Sequence, residues 1–337
     1  MMDQPATPPT PSAAPQSDGR IPAVVVTGFL GSGKTTLVNH ILRHQQGRKI
    51  AVIINEIGDI NLDGLLVLTD RDEQIVEFNN GCLCCTVRGD LIAMLGRLRE
   101  RADRLDGIII ETTGLADPAP VASTFFVSDD VRAGVRLDSF VGVVDARNIE
   151  TNLAQSPEAQ EQVAFSDIIL VNKTDLVDAA TLDTVIRRLR TLNPVARILP
   201  TVQSEVDLAA VLQTGAFDLE AKLQVDPGFL GDHAHEHDAR ISSCVLTESR
   251  PIDINRFMLW MGAYAQAHGG DLLRTKGIFH ARGFPERLIF QSVRMLTTLR
   301  PERPWREDEV RQTTYVVIGR DLDRAALAAG LADCVAG

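Results

Sequence analysis

One short glycine-rich stretch constrains the fold of this chain more than any other feature. Residues 28–35 read Gly-Phe-Leu-Gly-Ser-Gly-Lys-Thr and fit the pattern G-x-x-x-x-G-K-[ST]. They follow the apolar, β-branched run 23–26 and precede a helical pattern that extends to Gly47. A strand, a loop and a helix in this order are typical of α/β proteins that bind phosphate groups at the helix N-terminus.

The residue types in this loop match what a nucleoside triphosphate and Mg²⁺ require. Glycines let backbone N–H groups close around the β-phosphate, the lysine reaches the β- and γ-phosphates, and the threonine hydroxyl binds Mg²⁺. A glycine-rich turn without function is the alternative, which the full motif and its flanks disfavour. The predicted phosphate-binding residues are Gly28, Gly31, Ser32, Gly33, Lys34, Thr35 and Thr36, and Lys34 and Thr35 are also predicted catalytic residues.

A second motif predicts the base. Asn172-Lys173-Thr174-Asp175 follows the apolar run 168–171, where the C-terminal edge of an α/β sheet offers a ligand crevice. The Asp175 carboxylate can accept hydrogen bonds from N1–H and the exocyclic amine of guanine, whereas adenine offers no amine there. N-K-x-D alone often caps a helix, but downstream of a phosphate loop it predicts GTP and GDP, bound by Asn172, Lys173 and Asp175.

A third strand end carries an acidic residue and a glycine. Glu111-Thr112-Thr113-Gly114 ends the apolar run 107–110. We predict Glu111 beside Mg²⁺, through water, and Gly114 where a switch loop touches the γ-phosphate, so both are predicted catalytic residues. A solvent-exposed glutamate is the alternative for Glu111. No glutamine stands out that would position the attacking water, so we expect slow intrinsic hydrolysis that a partner accelerates.

Three cysteines lie within four residues of one another. Cys82, Cys84 and Cys85 follow the turn-forming residues 79–81 and are too close together to bridge distant elements. Such a cluster predicts free thiols in a reducing cytoplasm. Three thiolates can occupy three corners of a tetrahedral Zn²⁺ site and leave the fourth open for transfer, although they also bind Co²⁺. Buried apolar cysteine is the alternative.

Two groups of histidines are also candidates for metal binding. His233, His235 and His237 alternate with acidic neighbours, and either a weak loading site for divalent metal or a solvated loop explains them. His40 and His44 lie four residues apart on the helix that follows the phosphate loop. Without a third ligand, these two are expected to be ordinary helix residues.

Composition is that of a globular protein with about two domains. The 337 residues are 45% hydrophobic and 23% charged, and no apolar run reaches the roughly 20 residues that span a membrane. The net charge of −11 disfavours nucleic acid and anionic membranes as partners. Apolar strand runs alternating with helical patterns predict a doubly wound, mainly parallel α/β sheet.

A smaller α+β domain is expected to follow this sheet. Its predicted strands lie near 241–247, 278–280, 287–290 and 314–318, and its predicted helices cover 257–265 and begin again at Leu322. The predicted organisation is a disordered tail over 1–20, a nucleotide domain over 21–216, a histidine-rich linker over 217–239 and a C-terminal domain over 240–337.

In combination, these motifs resemble the CobW family of P-loop GTPases. The resemblance covers residues 22 to about 330 and is nearest to the zinc-regulated GTPase metalloprotein activators. It rests on residues 27–37, 55–59, 80–85, 111–118, 143–147, 172–176 and, weakly, 319–324. Eukaryotic members of that branch carry a client-docking motif at the N-terminus, and residues 1–20 contain nothing like it, so the client stays open.

The resemblance implies a GTP-dependent metallochaperone that receives zinc at Cys82, Cys84 and Cys85 and transfers it to a client metalloprotein, such as methionine aminopeptidase. It also implies that Glu56 and Asp59 line a first switch near the metal or Mg²⁺. Three other interpretations stay open: a cobalt chaperone for cobalamin synthesis or another metalloenzyme, a zinc sensor or buffer that never delivers metal, and an ATP-dependent small-molecule kinase.

Overall fold

The computed structural model of the chain describes residues 19–45, 47–54, 64–69, 72–77, 86–99, 105–215 and 241–337, and for 64–69, 72–77 and 86–90 it describes the backbone alone. No helix within these ranges is both long and apolar enough to cross a membrane.

Eight strands form the first sheet, in the order β4-β3-β2-β5-β1-β6-β7-β8. The six strands from β2 to β8 in this order run parallel, whereas β3 and β4 add an antiparallel edge. The predicted mainly parallel, doubly wound sheet is therefore confirmed. The strands are β1 (Ile21–Thr27), β2 (Ile50–Ile54), β3 (Gly64–Thr69), β4 (Asp72–Glu77), β5 (Gly107–Glu111), β6 (Val135–Asp145), β7 (Ile168–Asn172) and β8 (Arg197–Pro200).

Helices cover both faces of this sheet. Alternate residues of β1 point to opposite faces, so Ala23 and Val25 pack in one apolar cluster, and Val24 and Val26 pack in another beneath α1. This explains why the central strands read as continuous apolar runs. The helices are α1 (Lys34–His44), α2 (Thr86–Arg99), α3 (Ala119–Val127), α4 (Asp129–Gly134), α5 (Ile149–Gln155), α6 (Pro157–Phe165) and α7 (Ala179–Leu192).

A second sheet lies in the C-terminal part of the chain. Its five antiparallel strands have the order β12-β11-β10-β13-β9. One face is covered by α8 and α9, whose apolar side chains pack around Phe257 and Tyr315. The elements are β9 (Ile241–Glu248), α8 (Ile254–His268), β10 (Leu272–Phe279), β11 (Glu286–Val293), β12 (Leu296–Pro304), β13 (Thr313–Arg320) and α9 (Arg324–Asp333).

Two strands and one helix of this C-terminal part differ from the sequence prediction. The edge strand β12 was not predicted, because Pro301 and Pro304 interrupt its pattern, and proline is tolerated only where no partner needs its N–H. Strand β10 begins at Leu272, well before the predicted 278–280. The last helix begins at Arg324 rather than at Leu322, because the Asp323 carboxylate caps it by accepting from the Ala326 N–H.

The other face of the C-terminal sheet packs against helices of the first domain. Leu273, Val293 and Val316 join the apolar cluster that contains Phe140 and Phe165. Contacts run from α6 to β9 and β10, from α7 to β9 and from α3 to β11. The two sheets therefore share one continuous apolar core.

A buried charge cluster fixes this interface. The carboxylate of Asp167, which is fully buried, pairs with the Arg274 guanidinium and the Lys276 ammonium from β10, both at 2.5 Å. Its second oxygen accepts from the Phe140 N–H at 2.8 Å. Burial, partly opposed by Asp167, lowers the pKa of Arg274. Such a cluster tolerates little displacement, because each partner is out of water and depends on the others.

Candidate nucleotide-binding site

The glycine-rich loop joins the C-terminal end of β1 to the N-terminus of α1. Gly33 has φ of +116°, a left-handed conformation that other residues rarely adopt. A Cβ atom there would also collide with the Asn172 side-chain amide. Both observations require glycine at this position, so that the base motif can approach the backbone of the loop.

The N-terminus of α1 is open to a ligand. No side chain caps it, and its first turn holds no acidic residue. The uncapped N–H groups and the positive end of the helix dipole suit a phosphate. The Ser32 hydroxyl is buried and has no hydrogen-bond partner among the described residues, which suits a phosphate oxygen as acceptor. Thr36 lies exposed on the first turn.

Lys34 is already turned over the loop. Its ammonium donates to the Phe29 carbonyl at 3.2 Å, and only 8% of the residue is exposed. A charged group held in a partly dry cradle interacts strongly with phosphate, because water screens it little. This position beside the loop would suit a contact with the β- and γ-phosphates.

Thr35 and Glu111 bring two oxygen groups together. The Thr35 hydroxyl donates to Glu111 Oε1 at 2.8 Å. The two meet because Glu111 ends β5, whose register places it beside Val26 of β1, just before the loop. Hydroxyl and carboxylate oxygens are the donors that Mg²⁺ prefers, so this pair fits the predicted ion directly or through water.

Asn172 ties the base motif to the phosphate loop. Its side chain is buried, its Nδ2 donates to the Ser32 carbonyl at 2.9 Å, and its Oδ1 accepts from the Ser204 N–H at 2.8 Å. The Ser204 hydroxyl in turn donates to the Gly33 carbonyl at 3.1 Å. One amide thus holds together the loop after β1, the end of β7 and the loop after β8.

Lys173 makes a second connection to the phosphate loop. Its backbone is left-handed, with φ of +61°, and its ammonium donates to the Gly31 carbonyl and to Asp145 Oδ2, each at 2.7 Å. Burial would raise the pKa of Asp145, but hydrogen bonds from Lys173, Asn148 and the Arg147 N–H outweigh it and lower that pKa. Asp145 is therefore ionised at neutral pH and holds Lys173 in place.

Asp175 lies on the short 3₁₀ turn Thr174–Leu176 with its side chain exposed. The turn is anchored by the Thr174 hydroxyl and N–H, which both donate to the Thr201 carbonyl. Asn172 and Lys173 point back to the phosphate loop, so Asp175 is the member of the motif left to meet a base.

The segment after β5, residues 112–118, passes close to the phosphate loop and is called here the switch segment. A Cβ on Gly114 would lie 2.8 Å from the Leu30 N atom, which shows how closely the two backbones approach. The buried Gln162 side chain on α6 donates to the Gly114 carbonyl at 3.1 Å and to the Ala116 carbonyl at 3.3 Å. Gly114 thus lies beside the phosphate loop, and a side chain of α6 holds its backbone.

Several residues of this site were not found from the sequence. The sequence did contain an indication for Asp145, because this acidic residue directly follows the apolar residues Val143 and Val144. Ser204 and Gln162 had none, because their roles depend on contacts 171 and 48 residues away along the chain. His40 binds the Val206 carbonyl at 2.9 Å, so it ties α1 to the loop after β8, and His44 binds the His40 carbonyl.

The predicted metal ligands lie outside the described residues: Cys82, Cys84, Cys85, Glu56, Asp59, His233, His235 and His237. Within the described ranges, no group of three His, Cys, Asp or Glu side chains could hold a metal ion. The remaining two cysteines, Cys244 and Cys334, are free and buried in the C-terminal core.

Comparisons with known proteins identify the family of both domains. Residues 22–200 match the CobW/HypB/UreG nucleotide-binding domain, and residues 241–335 match the cobalamin synthesis protein CobW C-terminal domain. The zinc chaperone YjiA of Escherichia coli is 36% identical over 317 residues, which cover 93% of this chain and 98% of YjiA. The zinc-regulated GTPase metalloprotein activator 1 of Dictyostelium discoideum is 34% identical over 79% of this chain and 64% of its own length.

A solved structure shows the same fold. The crystal structure of Zn(II)-bound YjiA GTPase from E. coli superposes with a TM-score of 0.73 at 32% identity, and the match covers 94% of this chain and 99% of that one.

Proposed function

The chain belongs to the CobW/HypB/UreG family of nucleotide-binding proteins and is a P-loop GTPase, and on that premise we propose that it is a GTP-dependent zinc chaperone. In this proposal, Cys82, Cys84 and Cys85 receive Zn²⁺, the nucleotide state sets how tightly they hold it, and a client metalloprotein accepts it. The relatives named as zinc chaperones support the choice of metal.

The hydrogen-bonded unit around Asn172 carries the nucleotide part of the proposal. It presents the exposed Asp175 carboxylate to a base at a fixed position relative to the phosphate loop, which favours guanine. Adenine offers no amine to this carboxylate, so an ATP-dependent kinase would gain no hydrogen bond from it. We therefore favour GTP over ATP as the substrate.

The chain's own groups supply most of the hydrolysis site. Lys34 and the N-terminus of α1 hold the phosphates, Thr35 and Glu111 would hold Mg²⁺, and Gly114 borders the position of the γ-phosphate. When bound, Mg²⁺ neutralises charge on the phosphate oxygens. The Gln162 amide nitrogen holds the backbone of the switch segment by donating to the Gly114 and Ala116 carbonyls.

The placement of the cysteines along the chain supports coupling to the nucleotide. They lie between Glu77, which ends β4, and Thr86, which begins α2. The first proposed switch leaves β2 after Ile54, and the register pairs Ile54 with Glu111 at the same sheet edge. A shift of either switch on binding the γ-phosphate would therefore act on the sheet edge from which the chain leads to the cysteines.

The test is a zinc titration in two nucleotide states. A chromogenic chelator competes for Zn²⁺ with the protein bound to GDP and with the protein bound to a non-hydrolysable GTP analogue. We expect affinities that differ at least about fivefold between the states in the parent, because couplings of this kind are typically 5–150-fold. If the Zn²⁺ affinities of the two nucleotide states are equal, a zinc sensor or buffer that does not deliver metal becomes the better interpretation.

Two variants locate the metal site in the same titration. Replacing Cys84 and Cys85 by Ser should remove most zinc affinity and all dependence of GTP affinity on zinc, while GTP still binds. Replacing His233, His235 and His237 by Ala should leave that dependence intact. If the cysteine variant keeps the coupling and the histidine variant loses it, the assignment of the cysteines is wrong. Repeating the titration with Co²⁺ tests the alternative cargo.

A further inference from the structure

The geometry points to Arg294 in the C-terminal domain as a positioning residue of the GTPase, because it holds the end of the switch segment that carries Gly114. The inference concerns the GTPase site and is independent of which metal the protein carries.

The contact is direct. Arg294 Nη2 pairs with Asp117 Oδ2 at 3.0 Å across the domain interface, and both side chains are about two-thirds buried, with 30% and 36% exposed. The other oxygen, Asp117 Oδ1, accepts from the Ala119 N–H at 2.8 Å where α3 begins. Asp117 therefore joins the last part of the switch segment to a C-terminal strand turn.

Arg294 is itself held firmly. It lies in the turn between β11 and β12 with φ of +50°, which a non-glycine residue rarely adopts. Its N–H donates to the Leu273 carbonyl at 3.0 Å, and its Nη1 reaches the Gly270 carbonyl at 3.4 Å. Tight hairpin turns favour this left-handed conformation, and together with these hydrogen bonds it fixes the position from which the Arg294 side chain reaches Asp117.

Helix α6 provides a second connection between the C-terminal domain and the switch segment. Glu161 pairs with Arg320 and lies 3.6 Å from Arg294, and the next residue, Gln162, holds the Gly114 and Ala116 carbonyls. Two adjacent residues of one helix thus contact the C-terminal domain and the backbone of the switch segment. A shift of the segment therefore acts on both contacts together.

Charge makes Arg294 central to this arrangement. Burial raises the pKa of Glu161, and the nearby Asp117 charge raises it further, while Arg320 and Arg294 oppose the shift. Two carboxylates thus face each other with Arg294 beside both. Arg294 therefore lies beside one carboxylate on the switch segment and another on α6, and its contact with Asp117 links the two.

Loss of Arg294 would not separate the domains. The buried cluster of Asp167, Arg274 and Lys276 and the shared apolar core hold the interface independently. An effect of Arg294 on nucleotide binding would therefore come from the switch segment. A contact that differs between the GTP and GDP conformations shifts the relative affinity for the two nucleotides.

The experiment measures the affinities for GDP and for a non-hydrolysable GTP analogue in Arg294→Gln, Asp117→Asn and the double variant. The side-chain amide oxygen that Asp117→Asn introduces can still accept from the Ala119 N–H, so this variant removes the charge and keeps the start of α3. The control is Arg250→Gln, which removes an arginine paired with Glu248 within the C-terminal domain at 2.8 Å. Thermal unfolding confirms that each variant is folded.

We expect both single variants to change the ratio of the two affinities at least about fivefold and in the same direction. The double variant should change it no further, since each substitution removes the same contact. The control should leave the ratio unchanged. Single variants within twofold of the parent ratio, or a double variant that shows the product of the two effects, would overturn the inference.

Discussion

The prediction that tests the site most directly concerns the buried amide of Asn172. In Asn172→Ala, the Ser32 carbonyl and the Ser204 N–H lose their partner at 2.9 and 2.8 Å. A buried polar group left unsatisfied costs about 1–3 kcal/mol, so we expect unfolding free energy to fall by about 2–4 kcal/mol once water has entered the gap. Restoring the loop on binding would cost about 1.5–3 kcal/mol, which is roughly a 10–150-fold loss of GDP affinity.

A second buried asparagine provides a matched control. Asn193 is fully buried and its Nδ2 donates to the carbonyls of Val163 at 2.8 Å, Ala164 at 3.2 Å and Ser166 at 2.8 Å, so its amide holds the C-terminal end of α6 rather than the phosphate loop. Asn193→Ala should lose comparable stability and keep GDP affinity. Urea unfolding and titration with a fluorescent GDP analogue measure the two quantities. If Asn172→Ala binds GDP within twofold of the parent, the reasoning about the amide is refuted.

Two further predictions follow from single carboxylates. Asp175→Asn should lower GTP affinity by roughly 10–150-fold, since a contact worth about 1.5–3 kcal/mol is lost, without lowering ATP affinity, and nucleotide competition measures both; an unchanged GTP affinity would remove the guanine assignment. The hydrogen bond from Arg303 leads the interactions that lower the pKa of Glu309 from 4.5 to about 2. Its ionised form therefore stabilises the fold above the unfolded pKa, and this contribution disappears as pH falls towards the folded one. The stability deficit of Glu309→Gln in urea unfolding should accordingly shrink between pH 5 and pH 2, and a constant deficit would contradict this sign.

The sequence was sufficient to predict the elements that build the first sheet. Fully apolar runs such as 23–26 and 168–171 become strands buried on both faces, and the glycine pattern identifies the loop between β1 and α1. The residue types of a few neighbouring positions are enough for these predictions. A run of apolar residues indicates a buried strand, and glycine indicates a position such as Gly33 where the backbone can be left-handed. The phosphate loop and Asn172 meet because both lie at the carboxyl ends of parallel strands, on one edge of the sheet.

The contacts that complete the site needed the structure. Gln162 is an ordinary polar residue of α6 in the sequence, and its role appears only when the fold brings it to the Gly114 carbonyl. Ser204 has a left-handed backbone, with φ of +56°, that serine does not signal. Arg294 pairs with a residue 177 positions earlier, and no periodic pattern encodes such a distance.

The buried cluster at the domain interface has a consequence for synthesis of the chain. Asp167 and Arg274 are separated by 107 positions, so at about 5–20 residues per second the ribosome needs roughly 5–20 s between them. During that interval, the emerging first domain displays Asp167 and the apolar surface around Phe165 to water. Single domains usually fold in less time than this interval of synthesis. The first domain is therefore expected to be folded while its C-terminal partner is still missing. The nascent chain is therefore most prone to aggregation, and most dependent on molecular chaperones, just before the C-terminal strands appear.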